Sequence, residues 1–367
     1  MDKNCEFKIK LDRLRNFLEN EGLWGVYMKR QDNFAWLTCG GVGYVAVGEM
    51  GNCGLLVTRD RLYAVTNNIE APRMEDEERL TEMGFEILSG LWHETEFESA
   101  AIRSISKGMP MGRDFGPDSG YVAGELQKLR FSLTEQEVQR YLEGGTMVSR
   151  LVEETAASVR PGDTEWSVVA RVAERARCEG LEVMSLFCGS DERISRYRHA
   201  IATGKRIRER VQMGGNLRYK GLVICLTRYV NFVPVTAQLR RQYWDNVKID
   251  CTMIGESVPG DSYQRPFLAG KKAYEDLGYG EEFQKHHQGG PIGYVPRDYR
   301  IDFTHHGIIA KNQAFCWNPS ITGTKSEDTV ISTEDGPLFV TRPYLFPRFE
   351  LETGGRRYVR PEILEKY

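Results

Sequence analysis

Val159-Arg160-Pro161-Gly162-Asp163-Thr164 opens a helical pattern that runs from Trp166 to Cys178 and stops at Gly180. Val258-Pro259-Gly260-Asp261-Ser262 opens a second, from Phe267 to Leu277, that stops at Gly278. In each stretch Pro-Gly makes a turn, and Asp with Thr or Ser supplies an oxygen for the first free amides of a helix. The two turn glycines, 162 and 260, stand roughly 98 residues apart. After each helix the chain becomes strand-like, over Val211–Val230 and then over Gln313–Ser332. A Pro-Gly-Asp-Thr/Ser stretch is also a common helix start on its own. The matching helix, glycine stop and β-rich sequel favour a duplication. Two such helix-then-hairpin units close around one sheet and put a site on their pseudo-twofold.

Upstream, Phe7, Leu11, Leu14, Phe17 and Leu18 recur at helical spacing before a stop at Gly22. Short β-rich runs follow at Trp24–Met28, Phe34–Leu37, Gly54–Val57 and Leu62–Val65, bounded by Gly, Asn or Asp turns. A helix-like stretch near Glu70–Met83 precedes a strand at Phe85–Leu88. This alternation predicts a small mixed-sheet α/β domain. Gly112–Gly120 is breaker-rich, Gly124–Arg130 reads as a junction helix, and Thr134 with Glu137 makes a capping signal for a long helix to about Ser158. The expected boundaries are 1–118 for the first domain, 119–132 for the junction and 133–367 for the second.

The chain has 367 residues, 41% hydrophobic and 28% charged, with a formal charge of −3. That is ordinary globular composition with room for a sizeable core. A near-neutral balance gives no electrostatic case for nucleic acid or an anionic membrane surface. Met1–Lys10 is polar and lacks a signal peptide's apolar run, and no segment approaches the ~20 apolar residues of a membrane helix. Eight cysteines without a CxxC pair read as reduced thiols, so a cytoplasmic location is expected.

Further marks are Asp32-Asn33-Phe34-Ala35-Trp36-Leu37 and Thr66-Asn67-Asn68-Ile69-Glu70-Ala71-Pro72-Arg73 in the first domain. In the second they are His286-His287-Gln288-Gly289-Gly290, Asn318-Pro319-Ser320-Ile321-Thr322-Gly323 and Glu327-Asp328-Thr329. As a set these resemble the pita-bread superfamily of proline aminopeptidases and creatinase, over nearly the whole chain. The resemblance implies an α+β fold: a creatinase-type N-terminal α/β domain followed by a duplicated pita-bread domain, in a homodimer.

The superfamily's metalloenzymes hold two divalent ions with two aspartates, one histidine and two glutamates, a set suited to Mn-, Co- or Fe-type ions that generate hydroxide. Laid over this sequence, the aspartate positions fall on Gly214 and Cys225, the histidine on Gly290 and the first glutamate on Asn318. Glu327 alone survives. One carboxylate does not hold two divalent cations, so no metal and no other cofactor is expected. Cys225 and His287 sit in no recognisable metal spacing.

Creatinase implies another route, with one histidine as general acid and base in a loop before the first aspartate-type strand. His199, in Arg196-Tyr197-Arg198-His199-Ala200-Ile201, matches it. An imidazole titrates near neutrality and so takes and returns a proton in one cycle. A lone loop histidine is more commonly just a surface residue. His286 and His287 are also candidates, His287 slightly preferred, because neighbours in an extended segment point to opposite faces. His305 and His306 read as exposed. The positions matching creatinase's guanidinium-gripping glutamates are Asn318 and Thr227, which suit a neutral or anionic group better. Arginines crowd the stretch from Arg193 to Arg228, mostly as a solvated face. Arg228 lies in a core strand pattern and needs a partner, either Glu327 or a substrate carboxylate. Glu70 and Arg73 are candidates for a pocket rim across a dimer, or for an intradomain salt bridge.

The expected site is therefore His199, Glu327 and His287 for catalysis, with Arg228, Asn318, Thr227, His286, Glu70 and Arg73 for a small-molecule substrate. The expected activity is metal-independent cleavage of a C–N or amide-type bond in a small, amino-acid-like molecule. The alternatives are a non-catalytic pseudo-peptidase binding a peptide, metabolite or protein, and an Xaa-Pro metallo-aminopeptidase with rearranged ligands.

Overall fold

A computed structural model describes residues 3–116 and 120–367. It divides into two compact units, Met1–Gln136 and Glu137–Tyr367. The boundary expected at 118/119 falls among residues 117–119, outside the described residues.

The first unit builds a five-stranded sheet from β1 (Gly25–Arg30), β2 (Met50–Thr58), β3 (Leu62–Asn67), β4 (Glu86–Gly90) and β5 (Met111–Arg113), in the order β4-β3-β2-β1-β5. Pairing is antiparallel at the centre and parallel at both edges. The helices are α1 (Lys3–Asn20), α2 (Gln31–Leu37), α3 (Ala71–Asp76), α4 (Phe97–Ser106) and α5 (Ala123–Lys128). Two expectations are corrected. Phe34–Leu37 is the end of a helix, not a strand; every residue of α2 is buried, so its short apolar run has no period to read. The helix expected over Glu70–Met83 covers only Ala71–Asp76 before the chain turns.

α6 (Glu135–Ser158) starts directly after Thr134 and continues into the second unit, where it is followed by α7 (Glu165–Cys178), α8 (Glu192–Arg196), α9 (Ala237–Glu256) and α10 (Gln264–Asp276). These accompany an eight-stranded sheet with the path β6 (Glu182–Ser190), β7 (Arg210–Tyr219), β8 (Leu222–Asn231), β13 (Asp328–Thr333), β10 (Gln313–Trp317) and β9 (Gly289–Pro291). Between β10 and β13 lies the small hairpin β11 (Ser320–Ile321) and β12 (Thr324–Lys325). β14 (Gly336–Phe339) pairs with β13, β15 (Arg348–Thr353) with β16 (Arg356–Pro361), and β17 (Leu364–Glu365) with β8.

The duplication is visible in the backbone. Gly162 and Gly260 both have positive φ, +93° and +89°, and Gly180 and Gly278 end their helices at +72° and +83°. Gly162 donates its N–H to Ile207 and Asp163 accepts from Ile207; Gly260 and Asp261 make the same two bonds with Ile309. Thr164 caps α7 by accepting from the Ser167 amide. The halves meet where β8 pairs antiparallel with β13, with Leu226 opposite Asp328. Apolar residues of α9, α10 and the sheet, including Val247, Ile254, Phe267, Phe315 and Trp317, form one buried cluster behind this seam.

Candidate functional site

His199 lies on the loop between α8 and β7, and a buried carboxylate holds that loop. Glu165, the first residue of α7, accepts from the Ser190 amide (2.9 Å), the Ser190 hydroxyl (2.8 Å) and Arg193 Nε (3.1 Å) with one oxygen. Its other oxygen accepts from the Thr203 amide (2.9 Å) and hydroxyl (2.7 Å). One charge at a helix N-terminus thus ties both ends of the segment. Cys188 N–H donates to the Ala200 carbonyl and Trp166 Nε1 to that of Ala202. Arg198 is ion-paired to Glu282 at 2.6 Å and donates to the Thr322 hydroxyl. These bonds leave the His199 ring exposed and fixed against Phe187, 5.4 Å between ring centres.

His286 and His287 come to the same place from the corner before β9. The Nε2 atoms of His199 and His286 are 3.3 Å apart. The His287 ring stacks on His199 at 5.7 Å and lies 4.4 Å from His286. One ring nitrogen of each histidine lies within 4.8 Å of the others. The His286 backbone is extended (φ −155°, ψ 147°), both rings reach His199, and of the two only His287 lines the cavity. Gln288 Nε2 donates to the Phe283 and His286 carbonyls. Nδ1 of His286 and Nδ1 of His287 are buried without a hydrogen-bond partner among the described residues. Burial, then Lys325, depresses His286 to about 2, and burial with Arg297 and Arg300 depresses His287 to about 3. Burial followed by Lys325 also lowers His199, against the pull of Glu327. All three are neutral imidazoles at pH 7.

His199 and His287 line a cavity of about 360 Å³ with Phe187, Asn216, Arg297, Arg300, Asn318, Lys325 and Glu327. Glu327 is the only carboxylate in that lining. Its Oε2 accepts from the Thr227 hydroxyl at 2.6 Å and from Lys325 Nζ at 2.7 Å. Burial pushes its carboxyl up, but Lys325 and Thr227 outweigh this and hold it below the usual range. Asn318 Oδ1 is buried with no partner among the described residues, so the wall keeps a free acceptor. Arg297 donates to the Gly290 and Cys316 carbonyls, at 2.8 and 2.6 Å, and Arg300 is exposed.

The structure thus brings together His199, His286, His287, Glu327, Thr227 and Asn318. Arg228 is elsewhere in the sheet, 1% exposed, bonded to Glu153 at 2.7 Å and Asp328 at 3.0 Å rather than to Glu327. Most of the arginine run is engaged by its own neighbourhood: Arg193 with Glu165, Arg208 with Asp191 and Arg218 with Glu182. Glu70 and Arg73, in the first unit, form an ion pair at 3.2 Å, and Arg73 also donates to the Val42 and Tyr44 carbonyls. His305 keeps 35% of its side chain exposed while contacting Asp302 and Tyr299, and His306 is exposed. Lys325, Arg297 and Arg300 were missed. Lys325 stands two residues from Glu327, the spacing that puts extended neighbours on one side. Arg297 and Arg300 follow the histidine loop directly.

Two of the positions that the resemblance matches to metal ligands are glycines with no room for a larger side chain. A Cβ at Gly214 would lie 2.2 Å from the Leu226 carbonyl oxygen, and one at Gly290, with φ +150°, 2.7 Å from that of Tyr299. Cys225 donates its thiol to Asn216 Oδ1 at 2.7 Å. Glu327 is ion-paired with the Lys325 ammonium at 2.7 Å.

No protein-family model matches the sequence, and no curated protein matches it. Solved structures match it over its full length. An Xaa-Pro dipeptidase from Bacillus anthracis is 18% identical with a TM-score of 0.75, covering 98% of this chain and 99% of that one. The dipeptidase PepE from Mycobacterium ulcerans is 18% identical with a TM-score of 0.77, covering 100% and 99%. The N-terminal domain of the FACT complex subunit SPT16 from Cicer arietinum is 13% identical with a TM-score of 0.69, covering 93% and 97%. At these identities the likeness establishes the fold. Among the described residues, no helix is long and apolar enough to cross a membrane.

Proposed function

We propose that this chain, which has the pita-bread fold of the Xaa-Pro dipeptidases, is a hydrolase that opens a C–N or amide-type bond in a small, amino-acid-like substrate without a bridged metal pair. The observation that carries the reading is that two neutral imidazoles, His199 and His287, and the Glu327 carboxylate line one cationic cavity, with His286 clustered beside both rings. The dipeptidases of the same fold support peptide-type bonds as the target.

His199 takes a proton from water as its oxygen forms a bond to the carbonyl carbon. When the C–N bond breaks, His199 returns that proton to the leaving nitrogen. His286, within hydrogen-bond reach of His199, orients the ring, and His287 packs against its face. Glu327, held by Thr227 and Lys325, orients the water or the substrate nitrogen. Arg297 and Arg300 attract a substrate carboxylate, for which guanidinium geometry is suited, and Asn318 Oδ1 accepts from a substrate N–H. Arg228 acts from behind as a positioning residue. Glu70 and Arg73 keep the role of an intradomain clamp.

The test is His199→Gln in a screen of N-acyl amino acids, dipeptides and amidine-type compounds. Turnover should fall at least about a hundredfold, the usual range for a lost acid–base group, with thermal unfolding unchanged. Undiminished turnover in the variant removes the mechanism. Saturable, ligand-induced stabilisation without turnover in the wild type would instead favour a binding protein, a use consistent with the same fold in a subunit of the FACT complex.

A further inference from the structure

We infer that His199, His286 and His287 form a binding site for one divalent transition ion of the zinc class, and that filling it silences the hydrolytic site. This rests on the proposed role of His199 only for the silencing; the binding stands by itself. Four-coordinate zinc with Zn–N bonds of about 2.0–2.1 Å holds its imidazole nitrogens about 3.3–3.4 Å apart. The Nε2 atoms of His199 and His286 already stand at 3.3 Å. The third nitrogen, from His287, falls within 4.8 Å.

Two further observations point to a ligand. The buried Nδ1 of His287 has no partner among the described residues, an arrangement that costs desolvation unless something binds there; the equally unpartnered Nδ1 of His286 carries that ring's proton when Nε2 coordinates. And the three side chains come from two separate segments, each anchored: His199 by the Glu165 clasp, and the His286–His287 corner by Gln288. Imidazole donors suit Zn, Cu, Fe and Ni, whereas hard Mg or Ca needs oxygen ligands.

The surrounding positive charge, which also disfavours protonation of the three rings, is partly paired. Lys325 is neutralised by Glu327 and Arg198 by Glu282. Arg297 and Arg300 remain beside the cavity, where the fourth coordination position opens. They favour an anionic fourth ligand, a carboxylate or hydroxide, over neutral water. Coordination uses the Nε2 lone pairs and breaks the His199–His286 contact, and in the ring that donated in it the proton moves from Nε2 to Nδ1. His199 then has no lone pair for water, so a bound ion inhibits.

The experiment is zinc titration of the chelator-stripped full chain by calorimetry, with cobalt(II) as a spectroscopic stand-in. One ion per chain and the visible d–d bands of four-coordinate cobalt are expected. His286→Gln and His287→Gln should each weaken uptake about a hundredfold or more, above the loss from outer-shell changes, while His306→Gln leaves it unchanged. Absence of stoichiometric uptake, six-coordinate cobalt bands, or uptake unaffected by both variants overturns the site. The wild-type cobalt spectrum keeps the test valid if a variant fails to fold. Zinc uptake without any turnover would leave the site standing and remove the hydrolase reading; turnover without uptake would do the reverse.

Discussion

Replacing Arg228 with Met separates a structural role from a substrate-binding one. Its guanidinium gives Nε to Glu153 at 2.7 Å, one terminal nitrogen to Asp328 at 3.0 Å and the other to the Thr227 carbonyl at 3.0 Å. Breaking a fully buried pair by removing one partner costs about 3–5 kcal/mol. Here the abandoned carboxylates keep some support. Glu153 still accepts the amides of Tyr344, Leu345 and Phe346, and Asp328 still has Arg360 at 3.0 Å and the Thr341 hydroxyl at 2.6 Å. The lower end, about 3 kcal/mol, is therefore expected. For a unit this size, roughly 2–4 °C per kcal/mol gives a fall of about 6–12 °C in melting temperature. Circular dichroism melts measure it, and Arg228→Met combined with Glu153→Gln should regain part of the loss. An unchanged melting temperature with weakened substrate binding would refute the assignment and restore Arg228 as a carboxylate ligand.

Other outcomes follow from the same geometry. Glu165→Gln removes the charge that ties Ser190 to Thr203, at about 2 kcal/mol for bonds to an ionised acceptor, and should lower kcat more than it raises KM because His199 loses its fixed position. Glu282 is pushed up by burial but held down to about 2 by Lys285, Thr322 and Arg198. Its folded-state value lies below the ordinary 4.5, so its contribution is present above 4.5 and is lost as pH falls toward about 2. Wild type should therefore be more stable than Glu282→Gln at pH 6, and the difference should close across that window in acid denaturation.

Much of the fold was legible because its signals are local. Pro-Gly turns, Thr164 as a cap and glycine stops at 180 and 278 all act within a few residues, and they recur at one spacing. The helix at Gln31–Leu37 was not legible because burial on every side removes the polar face that reveals a period. In the site, His199 and Glu327 were named from their positions in the pattern. The ring contact of His286 with His287 was not, because backbone alternation does not fix the side-chain torsions that bring both rings to His199. Arg228 was recognised as a buried cation, but its partners, Glu153 on a distant helix and Asp328 on a neighbouring strand, come from tertiary packing. Lys325 went unnoticed although it sits beside Glu327 in sequence; only the hairpin geometry turns it into that carboxylate's counter-ion.

The most direct test of the account measures turnover of an accepted substrate before and after exhaustive chelation, with metal content determined in parallel. Retained or increased turnover in the stripped protein, abolished by His199→Gln, is the predicted result. Turnover that disappears with the metal and returns on adding two manganese or cobalt ions per chain would contradict it.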